Sequence, residues 1–137
     1  GINWAVYSEE KVREHLAEGE VVFVDVTAEW CVTCKFNEKL FIETDQIIDR
    51  INQNGIVALK ADWTNRNREI GDFLARYGRS GIPFYIVYYG GDEKNYIALP
   101  ITITGSKLAK TLDEAIEKNR IFTRAQQEKP AALMTTP

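Results

Sequence analysis

Two cysteines, Cys31 and Cys34, make up the whole cysteine content of the 137-residue chain, and only Val32 and Thr33 separate them. A pair so spaced could act as a structural cross-link, as part of a metal site, or as a reversible dithiol. As a cross-link it does little. By the chain-entropy estimate, closing a loop of about four residues stabilises by ~2 kcal/mol, against ~4.7 kcal/mol for a loop of about 100. A zinc site normally takes four Cys or His ligands, and the chain adds only His15, distant in sequence. His15 itself reads as a surface or boundary residue of a helix. Reversible exchange is what the spacing suits, and the surrounding residues decide it.

Exchange requires a thiolate, so the surroundings must lower the cost of a negative sulfur. The apolar, β-branched run Val21–Val26 reads as a buried strand, and from Cys31 onward the pattern turns helical. Cys31 then falls at a helix start, partly exposed, where unpaired N–H groups and the positive end of the dipole favour a thiolate. Cys34 lies a turn later, facing inward. Cys31 is the expected nucleophile and Cys34 the resolving thiol.

Asp25 interrupts the apolar strand with the parity of Val21 and Phe23. A buried carboxyl there would be hard to ionise and could exchange a proton with Cys34; the alternative is an outward-facing residue on an edge strand. Glu38 stands one helical turn after Cys34 on the same face. It could add negative potential near the sulfurs, or be an ordinary solvated acid. Pro83 opens a later strand behind Gly81-Ile82, a setting that fits a cis Ile82–Pro83 bond and leaves Ile82 backbone groups for a substrate chain to pair with. Trp30, beside the nucleophile, is the aromatic expected at the docking surface. Trp4, Trp63 and Tyr85, Tyr88 and Tyr89 read as packing residues. Arg66, Arg68, Arg76 and Arg79 read as a solvated helix face and its end.

The elements that must position these groups follow from periodicity and turn chemistry. Ile2–Tyr7 reads as a strand and Ser8 as the cap of a helix stopped at Gly19. The strand after it leads to the cysteine helix, which should break near Phe41–Thr44 and end at Asn54-Gly55. Ile56–Ala61 is a strand, Arg66–Tyr77 a helix, and Phe84–Tyr89 with Tyr96–Pro100 a hairpin. Ser106 caps a last helix. The order β-α-β-α-β-α-β-β-α predicts an α/β domain with a central mixed sheet and helices on both faces. That domain spans residues 1–122, and residues 123–137 read as a flexible polar tail.

Hydrophobic residues are 45% of the chain and charged residues 27%, the balance of a globular domain. The net charge of -3 offers no basic footprint for nucleic acid or an anionic membrane. No apolar run approaches the roughly 20 residues of a membrane span, and the start lacks a signal-peptide pattern. No bound cofactor and no metal is expected beyond the cysteine pair.

The segment Val24-Asp25-Val26-Thr27-Ala28-Glu29-Trp30-Cys31-Val32-Thr33-Cys34-Lys35 resembles a thioredoxin-superfamily active site, placed where the second strand meets the next helix. Its continuation Lys35-Phe36-Asn37-Glu38, with Ala61-Asp62-Trp63-Thr64-Asn65 and Tyr77-Gly78-Arg79-Ser80-Gly81-Ile82-Pro83-Phe84-Tyr85, is similar to the C-terminal periplasmic domain of DsbD and its ScsB-like relatives. The resemblance covers residues 5–120. It implies a thioredoxin fold and a periplasmic domain of an inner-membrane protein. Such a domain takes electrons from a transmembrane electron-transfer domain and passes them to a periplasmic disulfide protein or an immunoglobulin-like N-terminal domain. Asp25 and Glu38 match family acids that tune the nucleophile. Val32-Thr33 replaces the Gly-Pro of ordinary thioredoxins, and Thr33 stands where the DsbD domain has Ala. The expected isolated domain is a monomer. Beside the reductase reading stand an oxidase or isomerase of the same fold and a non-enzymatic metal-binding or adaptor domain.

Overall fold

Val22–Thr27 (β2) carries five consecutive buried residues, which only a strand covered on both faces can accommodate. The computed structural model, which describes residues 1–128, places β2 at the centre of a five-stranded sheet. The other strands are Ala5–Val6 (β1), Val57–Asp62 (β3), Phe84–Tyr88 (β4) and Tyr96–Leu99 (β5). The sheet order is β1-β3-β2-β4-β5. β3 runs parallel to both β1 and β2, whereas β4 is antiparallel to β2 and to β5. The mixed sheet and the element order are those read from the sequence.

Alternation along β2 sends side chains to two cores. Val22, Val24 and Val26 meet helices Glu9–Ala17 (α1) and Arg68–Arg76 (α4) through Val12, Leu16, Ile70, Phe73 and Leu74. Phe23 faces helices Asp45–Gln53 (α3) and Gly105–Gln127 (α5) through Ile47, Ile51, Leu108, Leu112 and Ala115. The short helix Val32–Asn37 (α2) carries the cysteine motif.

Local chemistry sets the element ends. Ser8 caps α1 by accepting the Lys11 N–H at 3.0 Å, with Glu9 and Glu10 in the first turn. α5 is capped by Thr104, whose hydroxyl accepts the Lys107 N–H at 3.1 Å, two residues before the expected Ser106. β1 is shorter than Ile2–Tyr7, and at its start the Ile2 N–H donates to the Glu43 carboxylate instead of to a neighbouring strand. α5 continues through positions 123–127, which the sequence assigned to the tail. Asn119 ties it down, accepting the Gly90 N–H at 2.9 Å and donating to the Gly19 carbonyl at 2.8 Å. The rest of that tail lies outside the described residues.

The expected break between α2 and α3 is a π-helical turn over Glu38–Ile42, closed by the Glu43 N–H donating to the Glu38 carbonyl at 2.8 Å. Ile42 is buried, while Phe36 and Leu40, which the apolar pattern also picks out, are exposed.

Candidate active site

Cys31 is the N-cap of α2. Its Sγ accepts the Cys34 N–H at 3.1 Å, one of the donors that a helix start leaves unpaired. The two sulfurs are joined in a disulfide with the Cα atoms 5.3 Å apart. Cys34 is 2% exposed and faces inward, as expected. Cys31 retains 6% exposure, less than the partly exposed position expected of it, because Ala28 and Ile82 pack against the pair. Ile82 precedes Pro83 across a cis peptide bond. The structure therefore brings Ile82 against the cysteine pair from a distant part of the chain, with Pro83 next to it in sequence.

Asp25 lies on the Phe23 side of central β2 and is 2% exposed, so it does not face outward on an edge. Its neighbours across the strands are Lys60 on β3 and Tyr85 on β4. Burial pushes its carboxyl up to about 7; Lys60 opposes the shift, and Glu38 and Glu43 add to it. Glu38 is half-buried and its Oε1 lies 3.5 Å from the Lys60 ammonium. Its backbone N–H donates to the Cys34 carbonyl, which ties the acid to the cysteine helix. A polar cavity of about 150 Å³, lined in part by Lys35, Glu38, Lys60 and Asp62, opens beside this pair.

Asn37, the residue before Glu38, is buried and donates to the Tyr85 hydroxyl at 3.0 Å and to the Ile101 carbonyl at 3.3 Å. Tyr85 is thus held by Asn37, and burial raises its phenol well above the ordinary range.

Trp30 is 45% exposed beside Cys31. Its indole N–H donates to the Thr64 carbonyl at 3.0 Å, and the Arg66 guanidinium lies 4.6 Å from its ring centroid. Trp63 packs against Trp30 with centroids 6.3 Å apart. The packing role expected of Trp63 is therefore exercised partly against Trp30, at the surface beside Cys31. Arg66 precedes α4 with a left-handed φ of 51°, so it is a loop residue and not part of the helix face. Lys60, Glu43, Asn37 and Arg66 belong to this region and were assigned no role from sequence. Their partners lie 22 to 64 residues away for the bonds Lys60–Glu38 and Asn37–Ile101, beyond any local pattern.

Among the described residues, the ligand-type side chains that cluster are His15, Glu18 and Glu20, and neither cysteine joins them. His15 pairs with Glu20 at 2.8 Å on a partly exposed surface.

Residues 3–90 match the family model described as thioredoxin-like. The chain belongs to the thioredoxin-like family. Among curated proteins it is similar to the thiol:disulfide interchange protein DsbD of Yersinia pestis, 31% identical over 86 residues, which cover 63% of this chain and 14% of that protein. DsbD of Haemophilus influenzae is 29% identical over 111 residues, 80% of this chain and 18% of that protein. The chain thus spans less than a fifth of these relatives. In structure it is similar to the C-terminal domain of Neisseria meningitidis DsbD in the oxidised form, with a TM-score of 0.62, 17% identity, and coverage of 81% of this chain and 99% of that one. A thioredoxin from Thermus thermophilus gives a TM-score of 0.68 at 16% identity, covering 86% and 89%. These structural matches bear out the thioredoxin fold, and the curated relatives bear out the DsbD-type resemblance. Among the described residues no helix is long and apolar enough to cross a membrane.

What this arrangement can do chemically is thiol–disulfide exchange. It has a sulfur that accepts an N–H at a helix N-terminus and a second sulfur in its reach.

Proposed function

We propose that the domain is a protein-disulfide reductase that relays electrons through Cys31 and Cys34. In this reading the Cys31 thiolate attacks a sulfur of the partner's disulfide and releases one partner thiolate. Cys34 then attacks Cys31 of the mixed disulfide, which frees the second partner sulfur and leaves Cys31–Cys34 oxidised. Two electrons pass to the partner. Asp25 accepts the Cys34 proton, Glu38 acts with it on the local potential, and Trp30, Ile82 and Pro83 dock the partner chain. The pair itself carries the electrons, with no further cofactor or metal.

The observation that carries this reading is the Cys34 N–H held on the Cys31 Sγ at 3.1 Å. It is a donor positioned to stabilise charge on the attacking sulfur and not on the resolving one. The likeness to DsbD supports a place in a longer membrane protein, with the domain in the periplasm. A transmembrane electron-transfer domain would re-reduce the pair, and a periplasmic disulfide protein or an N-terminal domain would receive the electrons. The isolated domain acts as a monomer in this scheme.

The test uses two variants and one potential. Cys31→Ser should abolish disulfide reduction, and Cys34→Ser should accumulate mixed disulfides with the partner. Turnover retained in Cys31→Ser removes the assignment. A reduction potential near thioredoxin's, about -270 mV, fits a reductant, whereas one near about -120 mV marks an oxidant and ends the relay reading.

A further inference from the structure

We propose that Trp4 is a positioning residue of the exchange site: its indole, fixed by Glu43, holds the Lys60 ammonium between Glu38 and Asp25. The inference rests on the exchange reading above and adds to it a residue remote from the cysteine motif.

The chain of contacts is continuous. Glu43 ends the π-helical turn and accepts the Trp4 indole N–H at 3.3 Å and the Ile2 N–H at 3.4 Å. The indole also packs on Phe23, with ring centroids 5.7 Å apart. So fixed, the Trp4 ring carries the Lys60 ammonium 4.7 Å from its centroid, inside the range of a cation–π contact. That ammonium also meets Glu38 Oε1 at 3.5 Å. Lys60 is the cross-strand neighbour of Asp25.

A lysine needs such a clamp. Its charge rides on a flexible four-carbon stem that water readily draws outward. Lys60 is only half-buried, so without the indole its ammonium would spend more time in solvent, away from Asp25. The groups that bear on Asp25 are Lys60 from β3, Tyr85 from β4, and Glu38 and Glu43 from the π-helical turn. Lys60 is the one cation among them, and its charge is what opposes the burial that keeps the carboxyl protonated. The π-helical turn supplies both acids of this assembly from its two ends, Glu38 for the ammonium and Glu43 for the indole.

The experiment is an NMR titration of the Asp25 carboxyl carbon in the oxidised protein, compared among wild type, Trp4→Leu, Trp4→Phe, Lys60→Gln and the double variant Trp4→Leu/Lys60→Gln. In the wild type the Lys60 ε-protons should show an upfield ring-current shift, absent in Trp4→Leu. Trp4→Leu should raise the Asp25 midpoint by about half a pH unit or more, roughly a threefold change in ionised fraction near the midpoint. The pH profile of the exchange rate should move by the same interval. Trp4→Phe keeps an aromatic ring but loses the N–H to Glu43, and should give a smaller rise. Lys60→Gln should raise the midpoint most, and the double variant should match Lys60→Gln alone. A midpoint unchanged in folded Trp4→Leu and in Trp4→Phe overturns the proposal, as does a double variant shifted by the sum of the single effects. If Trp4→Leu does not fold, Trp4→Phe decides alone. No substrate is present in the titration, so a wrong direction of electron flow leaves its result standing. An unmoved midpoint likewise leaves the cysteine tests untouched.

Discussion

Replacing Asp25 with Asn should stabilise the oxidised domain by an amount that grows with pH. In the unfolded chain the carboxyl releases its proton near its ordinary value of 3.8; in the fold it holds it until about 7. Between those values the native state keeps a proton that the unfolded state has lost, so each unit of rising pH costs the native state about 1.4 kcal/mol. Above about 7 both states are ionised and the penalty is constant. Over the whole interval it amounts to about 4 kcal/mol. At 2% exposure, solvent does little to screen it. The variant has no such penalty. Burying an amide in place of the acid adds an offset of its own, but that offset does not vary with pH. Urea unfolding of both proteins from pH 4 to 8.5 reads the difference. The stability gap should widen by about 4 kcal/mol between pH 4 and about 7.5 and then level off. A gap independent of pH refutes the reasoning, because it means that Asp25 ionises in the fold as it does in water. The same change should slow exchange near neutral pH and flatten its pH dependence, since the group that would take the Cys34 proton is gone.

Two further changes separate packing from docking. Asn37→Ala removes both side-chain bonds that join α2 to Tyr85 and to the Ile101 carbonyl; it should lower stability by about 1–3 kcal/mol, seen as a lower thermal midpoint, and an unchanged midpoint counts against the structural role. Trp30→Ala should slow reaction with a protein disulfide while leaving reaction with a small aromatic disulfide within about twofold. Equal loss towards both substrates would mean that Trp30 acts on the sulfurs and not on the partner.

Much of this was legible in the sequence because it is written in short-range chemistry. The buried run around Asp25, the cysteine spacing, the Ser8 cap and the turn before Pro83 each depend on residues within a few positions of one another, and each lies where its pattern placed it. The parity of Asp25 with Val21 and Phe23 was enough to put the carboxyl on the inner face. What escaped is long-range or cumulative. Lys60 looks like an ordinary strand lysine until β3 is set beside β2, and Trp4 looks like packing until its N–H finds Glu43. The last helix runs past Phe122, and the bonds by which Asn119 ties it to Gly90 and Gly19 are not announced by the helical propensity of its polar residues. The same holds for Cys31, whose burial comes in part from Ile82, a residue far from it in sequence.

The π-helical turn also bears on how this sequence can change by descent. A residue more or fewer rotates everything downstream of it on a helix by about 100°. Losing one position from Glu38–Ile42 would turn the segment into a regular helix and carry Glu43 round, away from Trp4, with α3 displaced behind it. A substitution at exposed Leu40 leaves that phase intact. For this stretch the length of the segment is therefore under tighter constraint than the identity of its outward residues.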